Sequence, residues 1–263
     1  MSIARRLPAA VLTVLVAACS GPAPTRAPTA VGPAAEASPS DESTAEEIAP
    51  DPRIGAVFAG GQTLHVCSGS VLDTPAGDLI LTAAHCLADG VDTYFVPGFA
   101  DDSGADDFWT VDEVYLDPRW VEGRDPLVDF AIARVSRDGG GRIEDRVGTG
   151  LSLGEAPPTG TEVTVHGYAF GVGGDQLGCR AHTTMHGVFP ELPCAGLVAG
   201  TSGSPWVAGS ATVTGVVGGL EGGGCDENVS YSAPFDSRVR QVLARAEQGG
   251  HGDTAPTVFD DDC

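Results

Sequence analysis

The sequence predicts an all-β protein behind an N-terminal leader. Three observations carry this. Short apolar runs recur from Ile54 onward, clusters of Gly, Asp and Pro punctuate them, and helical periodicity surfaces only near the C-terminus. Apolar residues that come in short, turn-bounded runs pack as a sandwich or a barrel. A first series of strands is expected at 56–58, 66–72, 79–82, 93–96, 109–115 and 130–135, and a second at 162–168, 179–185, 204–207, 213–217 and 230–233. The Gly- and Pro-containing stretch 148–157 reads as the seam between the two series. At 236–248 the period changes: Val239, Val242 and Leu243 fall on one helical face with Arg238, Arg240 and Arg245 around them.

The ends of the chain read differently. Residues 1–19 have the make-up of an export signal, with Arg5 and Arg6 ahead of an apolar stretch at 7–18 that is too short to span a bilayer. The run Val16-Ala17-Ala18-Cys19 resembles a bacterial lipobox, in which Cys19 would carry the lipid; the alternative is an ordinary small-residue cleavage site. Arg5-Arg6 lacks the rest of a twin-arginine signal. Residues 20–52, rich in Pro, Ala, Ser, Thr and Glu, are expected to be a disordered tether, and 249–263 an acidic tail. Of 263 residues 42% are hydrophobic, enough for one sizeable core or two small packed units. The 36 acidic and 14 basic residues, all of the latter Arg, leave a net charge of −22, which opposes a nucleic-acid partner and favours solubility. Acidic stretches such as 101–102 and 260–262 lack EF-hand spacing.

Two segments carry chemistry. Ser202 lies in Gly200-Thr201-Ser202-Gly203-Ser204-Pro205 and His85 in Thr82-Ala83-Ala84-His85-Cys86. A serine hydroxyl attacks carbonyls only when a base takes its proton and N–H groups receive the oxyanion. The flanking glycines let the chain turn sharply and bring such N–H groups close. Both segments resemble the active-site signatures of the chymotrypsin/trypsin-like serine peptidases. The His segment matches throughout. The Ser segment departs from the commonest form, which has Asp at Thr201 and Gly at Ser204, and is similar to bacterial secreted branches. The resemblance covers about 54–248.

It implies a specific architecture: two six-stranded antiparallel β-barrels, about 53–148 and 149–235, with the site in the cleft between them and the helix 236–248 closing the domain. It also implies a third catalytic residue, Asp129, at the start of an apolar run; Asp125, ahead of Pro126, reads instead as a turn residue. His85 would act as base and then acid, Asp129 would orient it, and the N–H groups of Gly200 and Ser202 would form the oxyanion hole. The pocket floor falls at Gly196 and its wall at Val217, Gly218 and Gly219, which implies a neutral first-site preference, unless Glu221 or Asp226 reaches in. Arg53-Ile54-Gly55 resembles the family's activation site. Thr201 cannot pair with a new N-terminal amine, so cutting after Arg53 is not expected to be needed.

Cysteine usage fits an exported protein. With Cys19 assigned to lipid, six remain. Cys67–Cys86 brackets the His segment, as in the family. For the other four, Cys179–Cys194 with Cys225–Cys263 is preferred, and Cys194–Cys225, which would resemble the bridge beside the family's specificity pocket, is the alternative. No C-x-x-C pair points to a metal, and no cofactor is expected. His182 and His186 sit in an expected strand, where their spacing does not make a zinc site; 171–174 reads as a hairpin loop; Trp109, Trp120 and Trp206 read as packing. The leading expectation is an exported, lipid-anchored, monomeric serine endopeptidase acting on protein or peptide at the outer face of the membrane. A catalytically weak binding module and an esterase are the alternatives.

Overall fold

The computed structural model describes residues 43–226 and 228–257. Two short strands come first, β1 (Ser43–Thr44) and β2 (Glu46–Glu47). Six more occupy the first half: β3 (Ile54–Ala59), β4 (His65–Val71), β5 (Leu79–Thr82), β6 (Thr93–Pro97), β7 (Trp109–Leu116) and β8 (Ala131–Ser136). They close into an antiparallel barrel in the order β3-β4-β5-β8-β7-β6, which leaves no open edge. β3 reads as a continuous apolar run because both of its faces are covered. Val57 points into the main core, while Ile54, Ala56 and Phe58 turn the other way onto Phe99 and Tyr168. Gly55 is demanded by space: a Cβ there would lie 2.6 Å from the Phe95 ring.

The second half contains β9 (Ser152–Leu153), β10 (Glu162–Gly167), β11 (Leu177–His182), β12 (Thr184–His186), β13 (Phe189–Leu192), β14 (Cys194–Ala195), β15 (Pro205–Ala208), β16 (Thr212–Val216) and β17 (Ser230–Tyr231). Here β2-β11-β10-β15-β16-β9 form a six-stranded sheet, and β12-β13-β17 a three-stranded one. β10 alternates exposed and buried positions as a half-covered strand should, and its inward Val163 and Val165 join Cys179, Leu192 and Trp206 in a second core. Cys67–Cys86 ties β4 to the turn after β5, and Cys179–Cys194 ties β11 to β14. Cys225 is also disulfide-bonded. Cys263, Cys19 and the leader lie outside the described residues.

The α-helices among the described residues are α1 (Pro118–Gly123) and α2 (Ile143–Val147), between strands, and α3 (Ser237–Gln248), after the last strand. The helical period at 236–248 is α3, with Asp236 as its cap, accepting from the Arg238 N–H at 2.8 Å. Its buried face, Val239, Val242 and Ala246, joins the main core.

Both flanks of the domain are more ordered than the sequence implies. The stretch read as tether includes 43–52, yet β1 pairs with β14 and β2 with β11. Backbone pairing at a sheet edge requires no apolar side chain, so exposed Glu46 and Glu47 give no periodic signal. The acidic tail likewise begins with a strap. Asp253 accepts from the Leu116 N–H at 2.7 Å and pairs with Arg245 at 2.8 Å, and the Tyr115 hydroxyl donates to the Gly250 carbonyl at 2.9 Å. Asp253→Ala is therefore expected to cost about 1–2 kcal/mol in urea unfolding and to raise hydrogen exchange at Leu116; unchanged exchange there would contradict the strap.

Candidate active site

β5 ends at Thr82, and a 3-10 turn, Ala84–Cys86, carries His85 out of the barrel. A second 3-10 turn, Pro126–Val128, delivers Asp129 just ahead of β8. Asp125 caps that turn, accepting from the Leu127 N–H at 3.0 Å and pairing with Arg119 at 3.2 Å, so it points to its own turn rather than to His85. Asp129 is 1% exposed. Its Oδ2 takes the His85 Nδ1 at 2.8 Å and the Gly219 N–H at 2.7 Å, and its Oδ1 takes the His85 backbone N–H at 3.0 Å. With Nδ1 donating to the carboxylate, the other ring nitrogen is left as the acceptor. Burial alone would raise the Asp129 carboxyl; the His85 imidazole beside it, then the hydrogen bonds from His85 and Gly219, outweigh burial and hold it below the usual carboxylate range.

Ser202 lies on the turn between β14 and β15. That turn is braced from the first barrel by Ser68, a fully buried residue of β4. The Ser68 N–H donates to the Ser202 carbonyl at 2.8 Å, its hydroxyl donates to the Gly200 carbonyl at 3.0 Å, and the same hydroxyl accepts from the Tyr168 N–H at 2.8 Å. Within the turn, the Ser204 N–H reaches the Thr201 carbonyl at 2.9 Å, and the Gly203 N–H reaches the Val217 carbonyl at 2.7 Å. Gly200 (φ +93°) and Gly203 (φ +82°) adopt left-handed backbone, and both are packed so closely that a side chain has no room: a Cβ on Gly200 would fall 2.6 Å from Ala169 C, and one on Gly203 2.9 Å from the Ala83 nitrogen.

His85 and Ser202 line one cleft of about 650 Å³. Val66, Cys67 and Phe170 line it as well, as do Leu197, Val198, Val217 and the turn 221–225. Gly200 and Thr201 also line it. Among the four residues expected to shape the pocket, Val217 lines the cleft. Gly196 does not: it opens on a separate recess with Asp226 and Asn228, and its φ of +83° turns its bare face to Ala45. The next residue, Leu197, does line the cleft. Gly218 and Gly219 stand behind the wall, against Asp129: a Cβ on Gly218 would meet the Asp129 Oδ2 at 3.0 Å. Glu221 does reach the cleft, in left-handed backbone (φ 51°), whereas Asp226 is not among its lining residues. Ser68 and the Gly219 N–H escape sequence reading, because a strand serine and a backbone amide carry no motif.

Among the described residues, the close cluster of metal-type donors is Cys67, His85 and Cys86. Its two sulfurs are bonded to each other, so they offer no thiolate. His182 and His186 lie on different strands, β11 and β12, and His186 sits 3.6 Å from Glu191.

The Asp129 geometry fixes a pH dependence. A carboxyl whose folded-state pKa is depressed contributes stability that is complete above its ordinary pKa of about 3.9 and is lost as pH falls through the lower native value. Asp129→Asn is thus expected to cost about 2–4 kcal/mol of unfolding free energy at neutral pH, with the difference from wild type shrinking below about pH 3.9. A penalty of the same size at both pH values would contradict this.

The family model described as Trypsin matches residues 44–240. No curated protein matches the chain. Among solved structures, the protease Anisep from Arthrobacter nicotinovorans superposes with a TM-score of 0.68 at 21% identity, covering 78% of this chain and 100% of its own. The thermostable serine protease AL20 from an extremophilic microorganism gives 0.66 at 23%, covering 76% and 99%. A Glu endopeptidase gives 0.61 at 18%, covering 80% and 99%.

Proposed function

Because the chain belongs to the trypsin family, we propose that it is a serine endopeptidase that hydrolyses peptide bonds through an acyl-enzyme on Ser202. The observation that carries the reading is the buried carboxylate of Asp129 on the Nδ1 of His85, beside the cleft that Ser202 also lines. In this reading, His85 accepts the Ser202 proton as the hydroxyl attacks the substrate carbonyl, and passes it to the departing amine; water then repeats the cycle and frees the acid. Asp129 holds the tautomer that leaves a lone pair toward the substrate, and steadies the imidazolium. The N–H groups of Gly200 and Ser202 receive the oxyanion; among the described residues neither donates to a protein acceptor, which supports that role. Leu197 and Val217 give the cleft an apolar wall and favour a neutral first-site residue.

Export has the same kind of support. Disulfides belong to oxidising compartments, and Cys67–Cys86 and Cys179–Cys194 are formed. We place the protein outside the cell, as a monomer held to the membrane by a lipid on Cys19. Its substrates are proteins or peptides.

Turnover of a casein or peptide substrate tests the reading. Ser202→Ala is expected to lower kcat by about 10⁴-fold or more and to abolish labelling by a fluorophosphonate, with folding unchanged. Ester turnover without peptide turnover would make the protein an esterase, and a folded, unlabelled wild type would make it a binding module. In a fluorogenic peptide panel the fastest cleavage should come after neutral residues. Rapid cleavage confined to Arg or Lys would overturn the pocket assignment and place Glu221 at its base.

A further inference from the structure

The segment ahead of Arg53 grips two strands of the second half. β1 runs parallel to β14, with Ser43 opposite Cys194 and Thr44 opposite Ala195, and the Ala45 N–H donates to the Ala195 carbonyl at 2.7 Å. β2 then pairs with β11, Glu46 opposite Gly178, and the Ile48 N–H donates to the Gln176 carbonyl at 2.8 Å. The Ile48 side chain covers Gly178, where a Cβ would come within 2.6 Å of its Cδ1. The two gripped strands are joined to each other by Cys179–Cys194. The segment therefore spans both ends of a covalently stapled unit.

Beyond β14 the chain enters the loop that carries the site. Gly196 turns its bare face to Ala45, whose Cβ lies 3.5 Å from where a side chain would start. Ala45 packs against the second core, to which Leu197 and Val217, both walls of the cleft, belong. The loop then reaches Gly200. Thr201, in the position where the family's commonest motif has Asp, bonds back to the Val198 carbonyl through its hydroxyl at 2.8 Å, a tie within the loop itself. At its far end the loop is tied to the rest of the fold by the Phe170 N–H on the Ala199 carbonyl at 2.7 Å and by the Ser68 hydroxyl on the Gly200 carbonyl at 3.0 Å; at its β14 end the backbone tie is the pairing with 43–45.

We propose that residues 43–48 act as a positioning strap: they hold the loop 195–200 so that the Gly200 and Ser202 N–H groups face the cleft. This rests on the peptidase reading above. Its consequence is regulatory. Cleavage within the chain ahead of Ser43 releases a working enzyme, whereas removal of the strap lowers turnover without removing any catalytic group.

Ala45→Pro in the full chain is the test, because it deletes the N–H donated to Ala195 and leaves every catalytic group in place. The expected result is a fall of about tenfold or more in kcat with KM within about twofold, slower fluorophosphonate labelling, and faster hydrogen exchange across 195–200. If Ala45→Pro does not fold, Ile48→Ser, which loosens the same segment at its other end, is read by the same three measurements. A folded variant with unchanged kcat and labelling overturns the strap while leaving the peptidase reading intact. A wild-type chain that is itself unlabelled overturns both.

Discussion

A carboxylate without water keeps its charge only if the protein supplies the hydrogen bonds that water gave up. Asp129 is that group here, and the rest of the site is arranged around its needs. It sits on the first barrel and takes two N–H donors from His85 and one from Gly219, which lies just beyond the β16 strand of the second half's main sheet. Gly219 thus reaches Asp129 from 90 residues further along the chain, and His85 from 44 residues before it. A side chain on Gly218 would run into the carboxylate, and one on Gly219 into the backbone of Ser232 and Ala233. The imidazole orientation is a by-product of satisfying the buried charge, which is why a stability constraint and a catalytic geometry coincide at this residue.

The nucleophile turn is held by a different device. Its Gly200 and Ser202 carbonyls face the first barrel, where Ser68 gathers them, while the carbonyls of Ala199 and Thr201, whose peptide groups carry the Gly200 and Ser202 N–H groups, take the Phe170 and Ser204 N–H groups at 2.7 and 2.9 Å. A peptide group whose carbonyl is fixed has its N–H direction fixed as well. The site therefore depends on two contacts made across the halves, one through Asp129 and one through Ser68, and both involve fully buried polar atoms whose loss would leave partners unsatisfied.

How much of this is legible in the sequence depends on which atoms do the work. His85, Asp129 and Ser202 stand in motifs because their chemistry admits few residue types, and β3 and β5 show as apolar runs because both faces are buried. The helix α3 shows because one face alone is. Pairings carried by backbone leave no such trace: β1 and β2 join the fold through half-buried Ser43 and exposed Thr44, Glu46 and Glu47, and the 249–257 strap is fixed by Asp253 on the N–H of a strand 137 residues away. Gly196 illustrates a further limit. Counting back from the serine finds the right loop, but a glycine with positive φ turns the chain in a direction that position along the sequence does not encode, and Leu197 lines the cleft instead.

A charged, buried Asp129 that holds the Nδ1 proton of His85 is the foundation of the site. Proton NMR in water observes that proton directly, as a strongly deshielded resonance shielded from exchange. Such a signal is expected in the wild type and in Ser202→Ala, and its loss in Asp129→Asn and His85→Ala. A folded wild-type protein without it, or a signal that survives in Asp129→Asn, would show that Asp129 does not hold the imidazole.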